Sequence, residues 1–152
     1  MSELATNVWA DVDEIGDGIR GKRLERVPDE TLAAAVWELE PGAEIVYHLH
    51  HGTRELIVVL KGTVTLRTAD GERELREGET VAFPRGLPGA HGTANRTDAP
   101  VRYLMVAAHD PLDVIEYPDK GTLLATARTT SHTNEPLEWY FRFSDAVAGA
   151  DT

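Results

Sequence analysis

Short runs of alternating apolar and polar residues fill the middle of the chain, and turn residues close each run. The first, LAAAVWELE, places Ala35, Trp37 and Leu39 on one face and ends at Pro41-Gly42. Further runs follow at 44–50, 55–60, 63–67, 73–75, 80–83, 91–96 and 101–108. A period of two is that of a half-buried β-strand. About eight or nine short strands at near-regular spacing are typical of an all-β sandwich or barrel.

The flanking segments carry weaker patterns. Before residue 31 the chain is polar and acidic, and we expect one short strand near 22–27. After His109 we predict a short helical turn at 112–116 and a strand at 122–127, followed by the aromatic segment LEWYFRF. Aromatic residues that dense usually pack onto the domain or onto a partner chain.

These patterns predict a single domain over residues 1–152. Its core barrel covers about 31–108, with a short N-terminal extension and a C-terminal extension over 109–152. The length of 152 residues, with 41% hydrophobic and 27% charged residues, suits one domain with a sizeable core.

The charge balance limits the partners that we expect. Fifteen basic and 26 acidic residues give a net charge of −11, which argues against nucleic-acid binding and against anionic membranes. The absence of cysteine excludes disulfides, zinc–thiolate sites and a cysteine nucleophile. The first residues lack the features of a signal peptide and no apolar run reaches transmembrane length, so a cytoplasmic protein is expected.

Potential metal ligands converge in the second and third runs. His48 and His50 are two residues apart, so in a strand both side chains point to the same face. Glu55 begins the next run, which returns antiparallel beside the first after a short loop. Two imidazoles and a carboxylate at one end of a sheet are ligand types that divalent transition metals use. His91 is a fourth candidate.

The candidate ligands lie in two spaced motifs. The first is G-x5-H-x-H-x4-E-x6-G, formed by Gly42, His48, His50, Glu55 and Gly62. The second is G-x5-P-x-G-x4-H-x3-N, formed by Gly78, Pro84, Gly86, His91 and Asn95. On these motifs the chain resembles the cupin superfamily of small double-stranded β-helix, or jelly-roll, barrels, and FPRG and EYPDKG resemble segments of small single-domain bacterial members. The resemblance covers Leu32 to Ala108. It departs in one place, since four residues separate Gly86 from His91 where two are usual.

The resemblance implies that His48, His50, Glu55 and His91 bind one divalent ion, which would be iron, manganese, nickel or zinc. An N3O ligand set with open positions suits several of these ions and permits catalysis. His51 follows His50 directly and faces the other way, either behind the ligands or toward solvent. Three roles are open for Arg54: it orients Glu55, contacts an anionic substrate or is simply an exposed residue at the end of a strand. His109 and His132 are expected on the surface.

Strand parity predicts the lining of an apolar small-molecule pocket. The candidates are Trp37, Val46, Ile57, Thr93, Asn95 and Met105. Val46 is expected to share the face of His48, and Trp37 to close the floor or mouth of the pocket. In the run 101–108 we favour Tyr103 and Met105 as the inward pair over Arg102, Leu104 and Val106, and Tyr103 or a metal-bound water as the group that moves a proton.

The function expected from this site is a metal-dependent enzyme acting on a small organic molecule, of dioxygenase or of isomerase, cyclase or lyase type. The alternative is a non-catalytic small-molecule-binding cupin, and a purely structural metal ranks below both. The same fold serves both main purposes, so fold alone does not decide between them. We also expect a homodimer, with the LEWYFRF aromatics and the face of Leu56, Val58 and Leu60 as its surface.

Overall fold

A computed structural model describes residues 5–24, 31–130 and 135–143. The strands are β1 (Asp13–Gly16), β2 (Ile19–Arg23), β3 (Leu32–Leu39), β4 (Glu44–His50), β5 (Thr53–Lys61), β6 (Thr63–Thr68), β7 (Gly71–Arg76), β8 (Thr80–Phe83), β9 (His91–Ala94), β10 (Val101–His109), β11 (Leu112–Tyr117), β12 (Thr122–Thr130) and β13 (Pro136–Arg142). Two one-turn 3₁₀ helices lie at Leu87–Gly89 and Pro118–Lys120. Within the described ranges, the structure has no helix with the length and hydrophobicity needed to span a membrane.

The strands form two antiparallel sheets. One has the order β1-β2-β3-β10-β5-β8 and the other β13-β12-β11-β4-β9-β6-β7. Strands that are distant in sequence are therefore neighbours, as in a jelly roll. The apolar core contains residues of both sheets, among them Leu39, Ile57 and Val59 from the first and Val64 and Leu66 from the second. The predicted all-β double-stranded β-helix is confirmed.

The alternating runs predicted the barrel strands closely. The predicted strands 44–50 and 80–83 coincide with β4 and β8. The predicted hairpin turn at Asp70-Gly71 joins β6 to β7, and Gly71 has the positive φ of 114° that such a turn favours. These segments carry a local pattern that agrees with their final environment, which is why sequence reasoning located them.

The prediction of a helical turn at 112–116 is wrong. This segment is strand β11, which pairs with β12 along its whole length and with β4 at Ile115↔His50 and Glu116↔Leu49. The local signal of Asp110-Pro111 is overridden by the hydrogen bonds that two neighbouring strands provide. Part of the C-terminal extension therefore continues the barrel sheet directly beside the strand that carries His48 and His50.

A β-bulge in β4 changes which residues face the core. Ile45 pairs with Thr93, but His48 pairs with His91, so β4 has one residue more than β9 over this interval. Ile45 therefore packs against the core although it is three positions from His48. Val46 is 36% exposed. The expectation that Val46 shares the inward face of His48 is wrong, because the bulge interrupts strict alternation.

The N-terminal segment lies across the barrel. The predicted strand at 22–27 begins earlier, as β2, and residues 25–30 lie outside the described part of the chain. Arg102 points outward from β10, bonds to the carboxylate of Glu38, and donates to the carbonyls of Val8 and Ala10. The N-terminal segment is thus fixed against the first sheet.

Candidate metal centre

Two consecutive strands, one from each sheet, bring the first-motif residues together. The expectation that the run of Glu55 returns antiparallel beside the first is wrong, because β5 pairs with β8 and β10 whereas β4 pairs with β9 and β11. His48 and His50 project from β4, and Glu55 projects from the start of β5. Each of the three offers a ligand atom, and these atoms lie within 4.8 Å of one another. In the short loop between the strands, the Gly52 N–H donates to a buried carboxylate, that of Asp113.

His91 joins this group from β9. Its Nε2 lies 3.4 Å from Glu55 Oε2, and its ring centroid is 4.6 Å from that of His48. Phe83 stacks on the other side of the imidazole, with the two ring centroids 3.6 Å apart and the ring planes 7° from parallel. The side chain is 1% exposed. Packing therefore holds His91 with one nitrogen toward Glu55.

The longer loop before His91 is accommodated by a one-turn 3₁₀ helix at Leu87–Gly89. The Gly86 N–H at its start donates to the carbonyl of His50, which ties the loop to β4. A Cβ on Gly89 would lie 1.7 Å from the carbonyl oxygen of Pro84, so only glycine fits there. The two additional residues are absorbed in this turn, and His91 still reaches the site.

The three imidazoles share one tautomer. His48 Nδ1 lies 2.8 Å from the Val46 carbonyl oxygen, and His91 Nδ1 lies 2.9 Å from that of Gly89. A carbonyl oxygen only accepts, so both Nδ1 atoms carry hydrogen. His50 Nδ1 lies 2.6 Å from Asp113 Oδ2 and donates to that carboxylate. Each Nε2 is therefore the nitrogen with a lone pair for a ligand, an arrangement typical of metal-binding histidines.

Two atoms facing each other in the site lack a hydrogen-bond partner. Glu55 Oε2 and His91 Nε2 are fully buried, and within the described residues neither finds a donor or acceptor. Leaving buried polar atoms unpaired is unfavourable by about 1–3 kcal/mol each. A divalent cation would satisfy both at once, and imidazole nitrogen with carboxylate oxygen is a donor set that such ions accept. The residues present therefore fit a transition-metal ion.

Burial and neighbouring charges set the protonation of the site. Burial lowers the pKa of His48, and it lowers the pKa of His91 to about 3, with the charge of His48 adding to the effect. Burial also disfavours protonated His50, but the hydrogen bond to Asp113 and the charge of Glu55 outweigh it and raise its pKa. Burial raises the pKa of Glu55. Two of the three imidazoles are thus neutral and ready to bind a metal without losing a proton.

Asp113 is the residue that sequence reasoning missed. It lies in β11, is 4% exposed, and accepts hydrogen bonds from the Gly52 N–H, the Thr53 hydroxyl and His50. Burial alone would raise its pKa, but these hydrogen bonds outweigh burial and lower it. The available signal was one of the two acids in LDVIEY, and its direction becomes readable only once that segment is identified as a strand.

A cavity of about 380 Å³ reaches the candidate metal centre at Glu55. Two of the residues expected in a small-molecule pocket, Trp37 and Met105, line this cavity together with the alanines at 33–35 and Ala107. Arg23, His109 and Arg128 also line it. The cavity is thus lined by apolar side chains, by two arginines and a histidine, and by the carboxyl group of Glu55.

The other predicted pocket residues lie in the core. Ile57 is fully buried. Thr93 and Tyr103 are hydrogen-bonded to each other through their hydroxyls at 3.0 Å. Asn95 donates to the carbonyls of Leu39 and Ala99, so its amide closes a turn. These side chains build the barrel rather than line the cavity.

Tyr103 was expected to move a proton. The structure places it in the core, 0% exposed, with burial raising its pKa far above the usual range. A phenol in that position neither meets the cavity nor ionises, so we assign it a packing role.

The remaining histidines differ in their surroundings. His51 is exposed and its Nε2 lies 2.6 Å from Glu116 Oε1, on the outer side of the sheet. His109 was expected on the surface without partners, but Arg128 and Thr53 contact its Nδ1. His132 lies outside the described residues. Arg54 is exposed.

Comparison with known proteins agrees with this architecture. The family model described as Cupin domain matches residues 35–107. Among solved structures, a sugar phosphate isomerase of the cupin superfamily from Silicibacter pomeroyi is 27% identical, with a TM-score of 0.70 over 84% of this chain and 78% of that one. A proposed sugar phosphate isomerase from Acidithiobacillus ferrooxidans is 25% identical, with a TM-score of 0.67 over 81% and 78% of the two chains.

A curated sequence is also similar. A germin-like protein from Morus alba is 30% identical over 97 residues, which is 59% of this chain and 45% of that protein. The chain spans about half the length of the curated relatives it matches.

Proposed function

The chain belongs to the cupin superfamily, and on that premise we propose that it is a divalent-metal-dependent isomerase of a small hydroxycarbonyl compound of the sugar phosphate type. The observation that carries the proposal is the set of three imidazoles, each with Nδ1 engaged, facing a buried carboxylate at the base of a cavity. Both solved structures described above bear the name sugar phosphate isomerase, which supports this reaction class.

His48, His50, Glu55 and His91 would hold the ion, the three histidines through Nε2. A divalent ion bound there supplies Lewis acidity, which polarises a carbonyl and acidifies the adjacent C–H bond. Iron, manganese, nickel and zinc all accept this ligand set, so the ligands alone do not choose among them.

The chain itself supplies orientation and proton transfer. Asp113 fixes the ring of His50, and the Phe83 ring fixes His91. Glu55 is the ligand residue that lines the cavity, and burial raises the pKa of its carboxyl. A carboxylate so placed can take the proton from the hydroxyl-bearing carbon beside the carbonyl and return it to the carbonyl carbon, while the hydroxyl proton passes to the former carbonyl oxygen. These two transfers interconvert an aldose and a ketose. The apolar wall around Trp37 and Met105 limits the access of water.

The test is conversion of aldose phosphates in D₂O, followed by NMR. We expect protein with stoichiometric metal to form the ketose and to incorporate deuterium at the carbon next to the carbonyl. Chelation should abolish the reaction, metal should restore it, and Glu55→Gln should remain inactive.

Other outcomes would point elsewhere. Oxygen consumption with a substrate would favour a dioxygenase. Saturable binding of the sugar phosphates without turnover or deuterium incorporation would favour the non-catalytic binding alternative. Either result would overturn the isomerase proposal.

We also propose a homodimer. Strand β13 lies at the edge of the second sheet and carries three exposed aromatic residues, Trp139, Tyr140 and Phe141, and exposed Phe143 follows it directly. An exposed edge strand with such side chains is a ready pairing surface. Light scattering coupled to size exclusion should give twice the mass of one chain, and Trp139→Glu with Phe141→Glu should reduce it to one.

A further inference from the structure

The two arginines that line the cavity differ from most other arginines of the chain in their ion pairing. In a protein with 26 acidic and 15 basic residues, arginines usually find carboxylates. Those at 20, 67, 85, 96 and 102 each pair with an aspartate or glutamate. Among the described residues, the structure shows no carboxylate partner for Arg23 or for Arg128, and both line the cavity.

The side chain of Arg128 contacts the imidazole of His109. Its Nη2 lies 2.6 Å from His109 Nδ1. A guanidinium only donates, so Nδ1 accepts and the imidazole does not cancel the charge of the arginine. The contact uses one of five N–H donors and orients the planar group, while the described residues offer no acceptor to the others.

A third donor lies on β3, the strand beside that of Arg23. Trp37 lines the cavity, and its Nε1 is buried with no hydrogen-bond partner among the described residues. The indole N–H only donates. Three donor-only side chains therefore line a cavity in which Glu55 is the one carboxylate residue among the lining residues.

We propose that Arg23 and Arg128, assisted by the Trp37 N–H, bind an anionic oxygen group of the substrate, a phosphate or a carboxylate. Planar guanidinium groups form paired, charge-assisted hydrogen bonds to such groups. The inference rests on the proposed function in taking this cavity as the substrate site, and it assigns the end of the substrate remote from the reacting carbons. Arg23 comes from β2 and Arg128 from β12, so the two arginines belong to different sheets.

The test is calorimetric titration of metal-loaded protein with three probes that share a three-carbon skeleton: glycerol 3-phosphate, glycerate and glycerol. We expect one or both anions to bind and neutral glycerol not to bind; the tighter anion identifies the group. Arg128→Gln and Arg23→Gln should each weaken anion binding about 10-fold or more, which is the scale of a charge-assisted hydrogen bond. Trp37→Phe should weaken it less.

Arg54→Gln is the matched control, because Arg54 adjoins Glu55 and is exposed, as Arg23 and Arg128 are, but does not line the cavity. It should bind the anions as the native protein does. Metal content and thermal unfolding are measured for every variant, so that loss of the ion is distinguished from loss of the anion site. Equal affinity for glycerol and the anions would overturn the proposal, as would unchanged anion binding in both Arg128→Gln and Arg23→Gln. In either case the metal content would still test the proposed metal centre.

Discussion

Asp113 Oδ2 accepts a hydrogen bond of 2.6 Å from His50 Nδ1, although the two residues are 63 positions apart in the chain. The carboxylate belongs to β11, a strand beyond the two motifs, and reaches the site because β11 pairs with β4. It fixes the tautomer of His50 and hence the nitrogen that faces Glu55. The candidate metal centre therefore includes a contact from a segment that neither motif contains.

Replacing Asp113 by asparagine should weaken metal binding by about 10- to 100-fold, the range for groups that orient a metal-binding histidine. The amide preserves size, but its NH₂ cannot accept. It would face either the Gly52 N–H or the protonated His50 Nδ1, both of which are donors. Competition with a fluorescent chelator measures the affinity.

Asp119→Asn is the control for that change, because Asp119 pairs with Arg67 on the exposed outer side of the sheet. Its metal affinity should equal that of the native protein. If Asp113→Asn also binds metal with native affinity while remaining folded, His50 does not need this carboxylate.

Gly89→Ala should destabilise the protein by about 3 kcal/mol, because the added methyl overlaps the Pro84 carbonyl and the loop must move. It should also weaken metal binding, since the displaced Gly89 carbonyl orients His91. Urea unfolding and metal titration measure the two effects. Leu87→Ala, in the same turn but 66% exposed, should change stability by less than about 0.5 kcal/mol; equal effects of the two substitutions would contradict this role for the turn.

The bulge in β4 predicts that replacement by threonine destabilises the protein at one of two adjacent positions and not at the other. Ile45→Thr should cost about 2 kcal/mol, since it removes apolar contacts from the core and places a hydroxyl there. Val46→Thr keeps a β-branched residue at an exposed position and should change stability by less than about 0.5 kcal/mol. Urea unfolding of both variants is the measurement, and the reverse order would show that Val46, not Ile45, faces the core.

The barrel strands could be predicted from the sequence because each carries its own pattern of alternating apolar and polar residues. The alternation in 44–50 and the Asp70-Gly71 turn depend on neighbours in sequence, and the structure matches both. The spacing of His48, His50 and Glu55 was informative for the same reason, since strand parity and one short loop place them together.

The remaining features depend on contacts that no local pattern records. The bulge shifts Ile45 inward because β4 must match β9, and strict alternation therefore misplaced Val46. Segment 112–116 becomes a strand only because β4 and β12 flank it, so Asp113 could not be connected to His50 in advance. Tyr103 and Asn95 have inward parity, yet their polar atoms are used by core and turn partners.

The central claim is a metal centre built on His48, His50, Glu55 and His91, and adjacent histidines provide its most direct test. His50→Ala removes a ligand, whereas His51→Ala removes an exposed imidazole that contacts Glu116. Elemental analysis of protein purified without chelators should give about one transition-metal ion per chain for the native protein and for His51→Ala, and little for His50→Ala. Absence of metal from the native protein after exposure to iron, manganese, nickel and zinc, or equal metal content in the two variants, would contradict the account.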